Sequence, residues 1–415
     1  MHHVTHDTSY ERKTLALMGL GFGLVGFDRW IIAPLFPHIM KDLGLDFEQL
    51  GTLVGVLSLT WGALSIAMGR LSDRIGRKKI LVATMVAFSV LSALSGFATS
   101  FVSLLLIRGA IGVAEGTFTP ASVAATGEAS RPERRGFNQG LQLSMHSLLG
   151  LGFAPILATQ LLGVLPSWHW VFVVSAIPGL VVAVLIVRVL RDDASAHSAA
   201  VAADAPRWGS LFGSRNVKVA TLAVLCAMAG IFVISAMVPT YLVQVLKLST
   251  QQMGVVVSAI GFGGWVGSFG IPGLSDRIGR RPAAISSFVG STVLLFAFAH
   301  TGAHPLLLFT LLFGLSLCAV GVLALIAGPI ATEAAPAGLI ASSVGLVSGA
   351  GEIFGGGVAP ILAGYVAQHF GLSRILDVAL AGFVCGALVS LALLETAPSR
   401  QRGAHAVVMA VDLDQ

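Results

Sequence analysis

The chain is 415 residues long, with 55% hydrophobic and only 11% charged residues and a mean hydropathy of +0.87. Soluble domains average about 25% charged residues, so little but lipid can coat so long a chain, and soluble, disordered and collagen-like proteins are excluded. The net charge of +5 does not indicate nucleic acid, because the basic residues fall between apolar segments and form no patch with interleaved aromatics.

The first 14 residues, MHHVTHDTSYERKT, are polar. The apolar run that follows exceeds a signal-peptide core and has no small-residue cleavage site after it, so it stays as the first membrane helix. His2, His3 and His6 lie at a terminus and read as incidental rather than as a metal tract. A membrane helix needs about 20 apolar residues. Twelve such stretches follow one another, centred near residues 27, 58, 88, 112, 150, 178, 231, 262, 291, 317, 353 and 384. An all-α membrane protein of twelve transmembrane helices in two six-helix halves is the expectation. The halves cover 1–190 and 216–396, joined by a polar cytoplasmic linker at 191–215 and followed by a cytoplasmic tail at 397–415. Cys226, Cys318 and Cys385 each sit in an apolar run and read as small buried hydrophobes with no disulfide framework.

With the N-terminus placed in the cytoplasm and twelve spans alternating, only Lys41, Lys247 and Arg374 of the 25 Lys and Arg residues fall outside. Arg29 and Arg108 lie within spans, and the other twenty face the cytoplasm. The positive-inside rule therefore predicts both termini inside a multi-pass inner (plasma) membrane protein.

Charges inside the membrane are costly and mark function by default. In the first span, Asp28 and Arg29 lie about 20 Å into the helix, near the midplane. In the fourth, Arg108 and Glu115 are seven residues apart, two turns along one face. Two readings are open: pairs that only lock helices together, or a protonation site coupled to an anion site. The fifth span carries Gln139, Gln142 and His146 at helical spacing, a polar stripe. Interhelical hydrogen bonding suits Gln139, whereas Gln142 and His146 are candidates for lining a cavity. In the eleventh span Glu352 precedes Gly355, Gly356 and Gly357; an unpaired carboxylate there is expensive, so it is either neutral or on the cavity wall.

The heptapeptide LSDRIGR at Leu71–Arg77 recurs unchanged at Leu274–Arg280, each copy after the second helix of its half. Parallel six-helix repeats with a site at their interface near the midplane are a transporter arrangement. The 49 glycines, many inside spans, permit the close helix packing that lipid requires. The signatures of an intramembrane enzyme are missing: no H-E-x-x-H, G-x-S-x-G or Cys/His cluster is present. No phosphate loop for ATP-driven pumping occurs, and the paired opposite charges argue against a channel. No cofactor, metal, nucleic acid or obligate protein partner is expected.

The segments GRLSDRIGRKK (69–79) and PGLSDRIGRRP (272–282) resemble the two loop signatures of the major facilitator superfamily. The resemblance implies that Asp73, Arg74 and Arg77, with Asp276, Arg277 and Arg280, form cytoplasmic charge contacts that latch the helices. Pro272, where the first copy has Gly69, predicts a weaker second latch. FDRWIIAPLFPHI in the first span and RGAIGVAEGTFTPA in the fourth resemble the anion:cation symporter branch, which carries organic acids with protons. That resemblance implies Asp28 and Glu115 for proton coupling, Arg29 for the cargo's carboxylate, and Arg108 as the base that biases Glu115. PTYL in the seventh span is similar to the branch's pattern, which makes Tyr241 a further substrate-binding candidate beside His146, Gln142 and Glu352. The same D-R and R…E pattern occurs in spinster-like lipid transporters, which remain an alternative. Drug:proton antiporters fit less well, because Ala154-Pro155 stands where their fifth helix carries Gly-Pro and no glycine pair follows. The expected partners are therefore a small organic anion, protons and the lipid bilayer.

Overall fold

The structure, a computed structural model, describes residues 7–131, 134–191, 208–335 and 340–396, with side chains described except at 66–75, 135–136, 208–210 and 340–342. The first half is α1 (Thr8–Leu43), α2 (Phe47–Ile75), α3 (Arg77–Ser95), α4 (Phe101–Ala129), α5 (Phe137–Val164) and α6 (Trp168–Val189). The second is α7 (Arg215–Gln244), α8 (Thr250–Ile278), α9 (Arg280–Ala299), α10 (Pro305–Glu333), α11 (Ser343–Phe370) and α12 (Leu372–Ser390). Eleven of these are long and apolar enough to cross a membrane on the described residues; the twelfth is α2, 29 residues long. An even number of spans brings the start of α1 and the end of α12 to the same end of the bundle, called here the basic end because the repeated LSDRIGR loops lie there. Of the linker, 192–207 lies outside the described residues, and Trp208–Gly213 forms a short 3₁₀ turn before α7. The tail 397–415 and His2, His3 and His6 also lie outside them.

The sequence repeat is also a repeat of backbone shape. Gly76 and Gly279, the same residue of the two heptapeptide copies, have φ of 97° and 106°, a region open to glycine without strain. Gly44 ends α1 in the left-handed conformation at φ 65°, and 203 residues later Lys247 holds the same kind of turn at φ 57° without glycine's freedom. α5 and α11 both contain APILA, at 154–158 and 359–363. In each helix a wide π turn, His146–Phe153 in one and Glu352–Val358 in the other, precedes the proline. A proline cannot donate to the carbonyl four residues back, and a wide turn absorbs that missing bond. The consequence is positional: His146 and Glu352 each begin the wide turn of equivalent helices.

Glycines stitch the halves together on the side away from the basic end. A Cβ on Gly51 or Gly55 of α2 would lie 2.3 Å from the Pro360 carbonyl oxygen or 2.6 Å from that of Gly357 on α11. On the other flank, a Cβ on Gly254 or Gly261 of α8 would meet the Pro155 carbonyl oxygen at 2.8 Å or the Gly152 nitrogen at 1.8 Å on α5. Backbone approach of this kind supplies the dispersion contact that replaces hydrophobic drive in lipid. At the same end the Phe47 N–H donates to Gln368 (3.3 Å) and His369 meets Glu48 (3.3 Å), again across the halves. Gly261→Ala is expected to destabilise the detergent-solubilised protein by about 1–3 kcal/mol through overpacking, read as a drop in melting temperature. Gly270→Ala, where a Cβ meets nothing within 4 Å, is the control and is expected to melt no lower than wild type. Equal melting of all three proteins would contradict the seam.

Candidate functional site

The first helix breaks where its charges are. The stretch up to Trp30 and the one from Ile32 join at Ile31, just before Pro34, whose ring removes the amide that the Trp30 carbonyl would otherwise accept from. Arg108 of α4, fully buried, reaches this break. Its Nη1 donates to the Asp28 carbonyl oxygen at 3.0 Å and its Nη2 to that of Arg29 at 2.7 Å. Carbonyls at the C-terminal end of a helical stretch carry partial negative charge, which suits a guanidinium. The sequence reading has Arg108 biasing Glu115; Arg108 lies near enough for its charge to act on Glu115, while its hydrogen bonds go to the main chain of α1, because the break exposes two acceptors directly opposite it.

Asp28 and Glu115 are buried, at 4% and 0% exposure. All four of their carboxyl oxygens lack a hydrogen-bond partner among the described residues. The two groups are neighbours, and Ser92 also lies beside Asp28 without reaching hydrogen-bond geometry. Leu24, Phe27, Phe88 and Ser89 enclose Asp28 with them. Buried carboxylates without donors are costly, and two side by side repel each other; the guanidiniums whose charge reaches them are Arg108, near both, and Arg29, near Glu115.

Arg29 points the other way, to the seam between the halves. It is 3% exposed. Its Nη2 donates to Ser58 Oγ of α2 at 2.7 Å and to Glu352 Oε2 of α11 at 2.8 Å. Its Cζ lies 4.9 Å from the ring centre of Phe232 (α7), 5.6 Å from Trp61 (α2) and 5.9 Å from Trp30. Aromatic faces at these distances stabilise a guanidinium and hold it flat. Its Nε is buried without a partner, so the fork keeps an unused donor. Ser58, Trp61 and Phe232 escape the sequence reading: a serine or an aromatic within an apolar span has no spacing signature, and only the three-dimensional approach to Arg29 singles them out.

The remaining candidates divide. His146 packs its ring 5.5 Å from that of Phe22, and its main-chain oxygen sits 2.6 Å from where a Cβ on Gly26 would stand, one turn before Arg29. Gln142 is fully buried and donates to Ser122 Oγ of α4 at 2.9 Å, the interhelical role that the sequence reading gives only to Gln139, which donates to the Val123 carbonyl oxygen at 3.0 Å. Its small serine partner draws the amide into the α4–α5 contact. Tyr241 is not part of the cluster. It lies nine residues beyond Phe232 on α7, about 13 Å along the axis, with its ring 6.3 Å from that of Phe298.

At the basic end, the side chains of Asp73 and Arg74 lie outside the described residues. Arg77 pairs with Glu128 of α4 at 2.5 Å. In the second copy Arg280 pairs with Asp276 (2.6 Å) and Glu333 of α10 (2.8 Å) and donates to Ser275 Oγ (2.6 Å), while Arg277 is exposed. The sequence reading expects Pro272 to weaken this copy; here its carbonyl oxygen, 3.4 Å from Arg280 Nη1, is one more acceptor for that arginine. Among the described residues no group of His, Cys, Asp and Glu could hold a metal, and the three cysteines are free.

The chain is similar to proteins named as transporters. The chain is 30% identical over 372 residues to a probable 4-methylmuconolactone transporter of Cupriavidus pinatubonensis, covering 88% of this chain and 86% of that one. It is 29% identical over 261 residues to the 3-(3-hydroxy-phenyl)propionate transporter of Escherichia coli, covering 62% of each. Its fold superposes with a TM-score of 0.80, at 17% identity, on a bacterial homologue of the human lysosomal transporter Spinster, covering 93% of this chain and 97% of that one. The model of the Major Facilitator Superfamily matches residues 18–356 and, in a second pass, 220–408. The twelve-helix bundle, the doubled LSDRIGR loop and these matches agree, and the chain belongs to the Major Facilitator Superfamily of membrane transporters.

Proposed function

We propose that this transporter carries a small organic anion together with a proton by alternating access, with Arg29 holding the anion's carboxylate and the Asp28–Glu115 pair holding the proton. The observation that carries this reading is the charge balance of the buried cluster. Three acids, Asp28, Glu115 and Glu352, face two guanidiniums, Arg29 and Arg108. One carboxylate is left over, and it is the group that can take up a proton when the anion binds and give it up when the anion leaves. Glu352 is matched by Arg29, so the proton belongs to Asp28 and Glu115, which share Arg108. Arg29, with a planar fork, an unused Nε and an aromatic setting, is suited to a carboxylate rather than to a neutral headgroup. The relatives named for 4-methylmuconolactone and 3-(3-hydroxy-phenyl)propionate support an organic-acid cargo.

In this reading the basic end faces the cytoplasm of a cell whose inner membrane holds the protein, by the twenty-to-three distribution of Lys and Arg. The glycine seams then close the outer side, and Arg77 with Glu128 and Arg280 with Asp276 and Glu333 act as the inner latches. His146 lines the path beside Arg29. The test is uptake into proteoliposomes of labelled 4-methylmuconolactone, 3-(3-hydroxyphenyl)propionate and a lysolipid, with and without an inside-alkaline pH gradient. Gradient-stimulated uptake of an acid is expected. Transport of the lysolipid with no uptake of either acid would overturn the reading in favour of a lipid carrier.

A further inference from the structure

The acid that meets Arg29 comes from the other half of the molecule. Arg29 is fixed on α1, its guanidinium layered among Trp30, Trp61 and Phe232 and tied to Ser58. Glu352 arrives from α11 and is the more exposed partner, 12% against 3%. Its Oε2 takes the same Nη2 that serves Ser58. The carboxylate also has a prepared place. A Cβ on Gly356 would stand 3.0 Å from Glu352 Oε2, 2.9 Å from the Phe232 ring and 3.1 Å from Ser58 Cβ, so only glycine leaves this gap clear. A cargo carboxylate that takes the Arg29 fork meets a donor already in use by another carboxylate of the same chemistry.

We propose that Glu352 is a tethered competitor for the anion site: every cargo must displace its carboxylate from Arg29, and its charge, left beside the bound cargo, selects singly charged acids over doubly charged ones. This rests on the reading of Arg29 as the cargo's anchor. Displacement exchanges one charge-assisted hydrogen bond for another, so the cargo gains from Arg29 only the difference between the two. Once displaced, Glu352 remains on its helix within a side chain's length of the cargo. A cargo bearing a second negative charge then faces a like charge in a site from which water is largely excluded, and that repulsion is the discriminating element. Because Arg29 and Glu352 belong to different halves, loading also breaks a tie between them at the depth where the glycine seam reaches Gly62, whose Cβ position lies 3.0 Å from Ile353 and 3.7 Å from Glu352.

The test is calorimetric titration of the purified full-length transporter at fixed pH with 4-methylmuconolactone, 3-(3-hydroxyphenyl)propionate and succinate. Wild type, Glu352→Gln, Glu352→Ser and Arg29→Lys are compared. With the competitor's charge removed, Glu352→Gln is expected to bind the singly charged acids about tenfold more tightly and to lose about tenfold of the preference for them over succinate. Glu352→Ser, which shortens the side chain as well, is to move both quantities in the same direction and guards against a fold defect peculiar to the amide. Equal or weaker binding by both Glu352 variants, while Arg29→Lys still loses affinity, overturns the competitor role and leaves the anion site standing. If neither singly charged acid binds wild type, or Arg29→Lys binds them as wild type does, the reading of Arg29 falls and this inference falls with it.

Discussion

Glu115→Gln is expected to abolish concentrative uptake while leaving exchange of cargo across the membrane intact. One pH unit is worth about 1.36 kcal/mol per proton. A carrier moving one proton with each singly charged anion therefore concentrates its cargo about tenfold per unit, and about 100-fold under a gradient of about two units. With an amide in place of the Glu115 carboxyl, Asp28 and Arg108 form a balanced pair, the leftover charge disappears, and no proton is needed to carry the cluster through the cycle. The accumulation ratio should fall to about one at any gradient, whereas counterflow of labelled cargo against unlabelled cargo continues. Asp28→Asn leaves Glu115 opposite Arg108 and should give the same phenotype, because the count of charges decides and not the identity of the acid. One proton with one monoanion also makes the cycle electroneutral, so wild-type uptake should ignore an imposed membrane voltage. Full pH-driven accumulation by the Glu115→Gln variant would remove the pair from coupling.

Arg29→Lys is expected to weaken binding of the organic acid about 100-fold despite keeping the positive charge. Hydrogen bonds to a charged group contribute about 1.5–3 kcal/mol each, and lysine offers a point charge where arginine offers a fork. The ammonium cannot lie flat among Phe232, Trp61 and Trp30, nor stay tied to Ser58 while offering the cargo's carboxylate a two-donor fork. Binding titrations of the lysine variant against wild type give the ratio directly. An affinity within about threefold of wild type would place the cargo's charge elsewhere, and normal transport of a neutral cargo by Arg29→Ala would end the organic-anion reading.

Charge and repetition make much of this legible in advance. Twelve spans, two halves and four charges in the first half's membrane interior follow from hydropathy and from the cost of burying charge, terms that act on sequence directly. Asp28, Arg29, Arg108 and Glu115 do meet in space, because the two-turn spacing on α4 and the adjacent pair on α1 leave few other arrangements. The hydrogen-bond assignments inside that cluster are not legible. Arg108 turns to main-chain carbonyls because a proline bends α1, and the direction of a bend is a property of tertiary packing. Glu352 is marked by burial cost alone, yet its partner comes from a helix more than 300 residues earlier, a pairing no local string encodes. Tyr241, a hydroxyl in a suggestive string, stands about 13 Å along α7 from Phe232, a separation from the Arg29 cluster that the string itself does not encode.

Arg108 holds main-chain oxygens at positions 28 and 29, not their side chains. Any residue other than proline substituted at either position still presents the same two carbonyls, so the brace survives while the chemistry it carries is exchanged. Variants at 28 and 29 therefore report on charge and shape with the framework held constant, which makes their kinetics interpretable. Over longer times the same separation lets a lineage trial new cargo and new coupling ions at two adjacent codons without having to rebuild the bend that presents them.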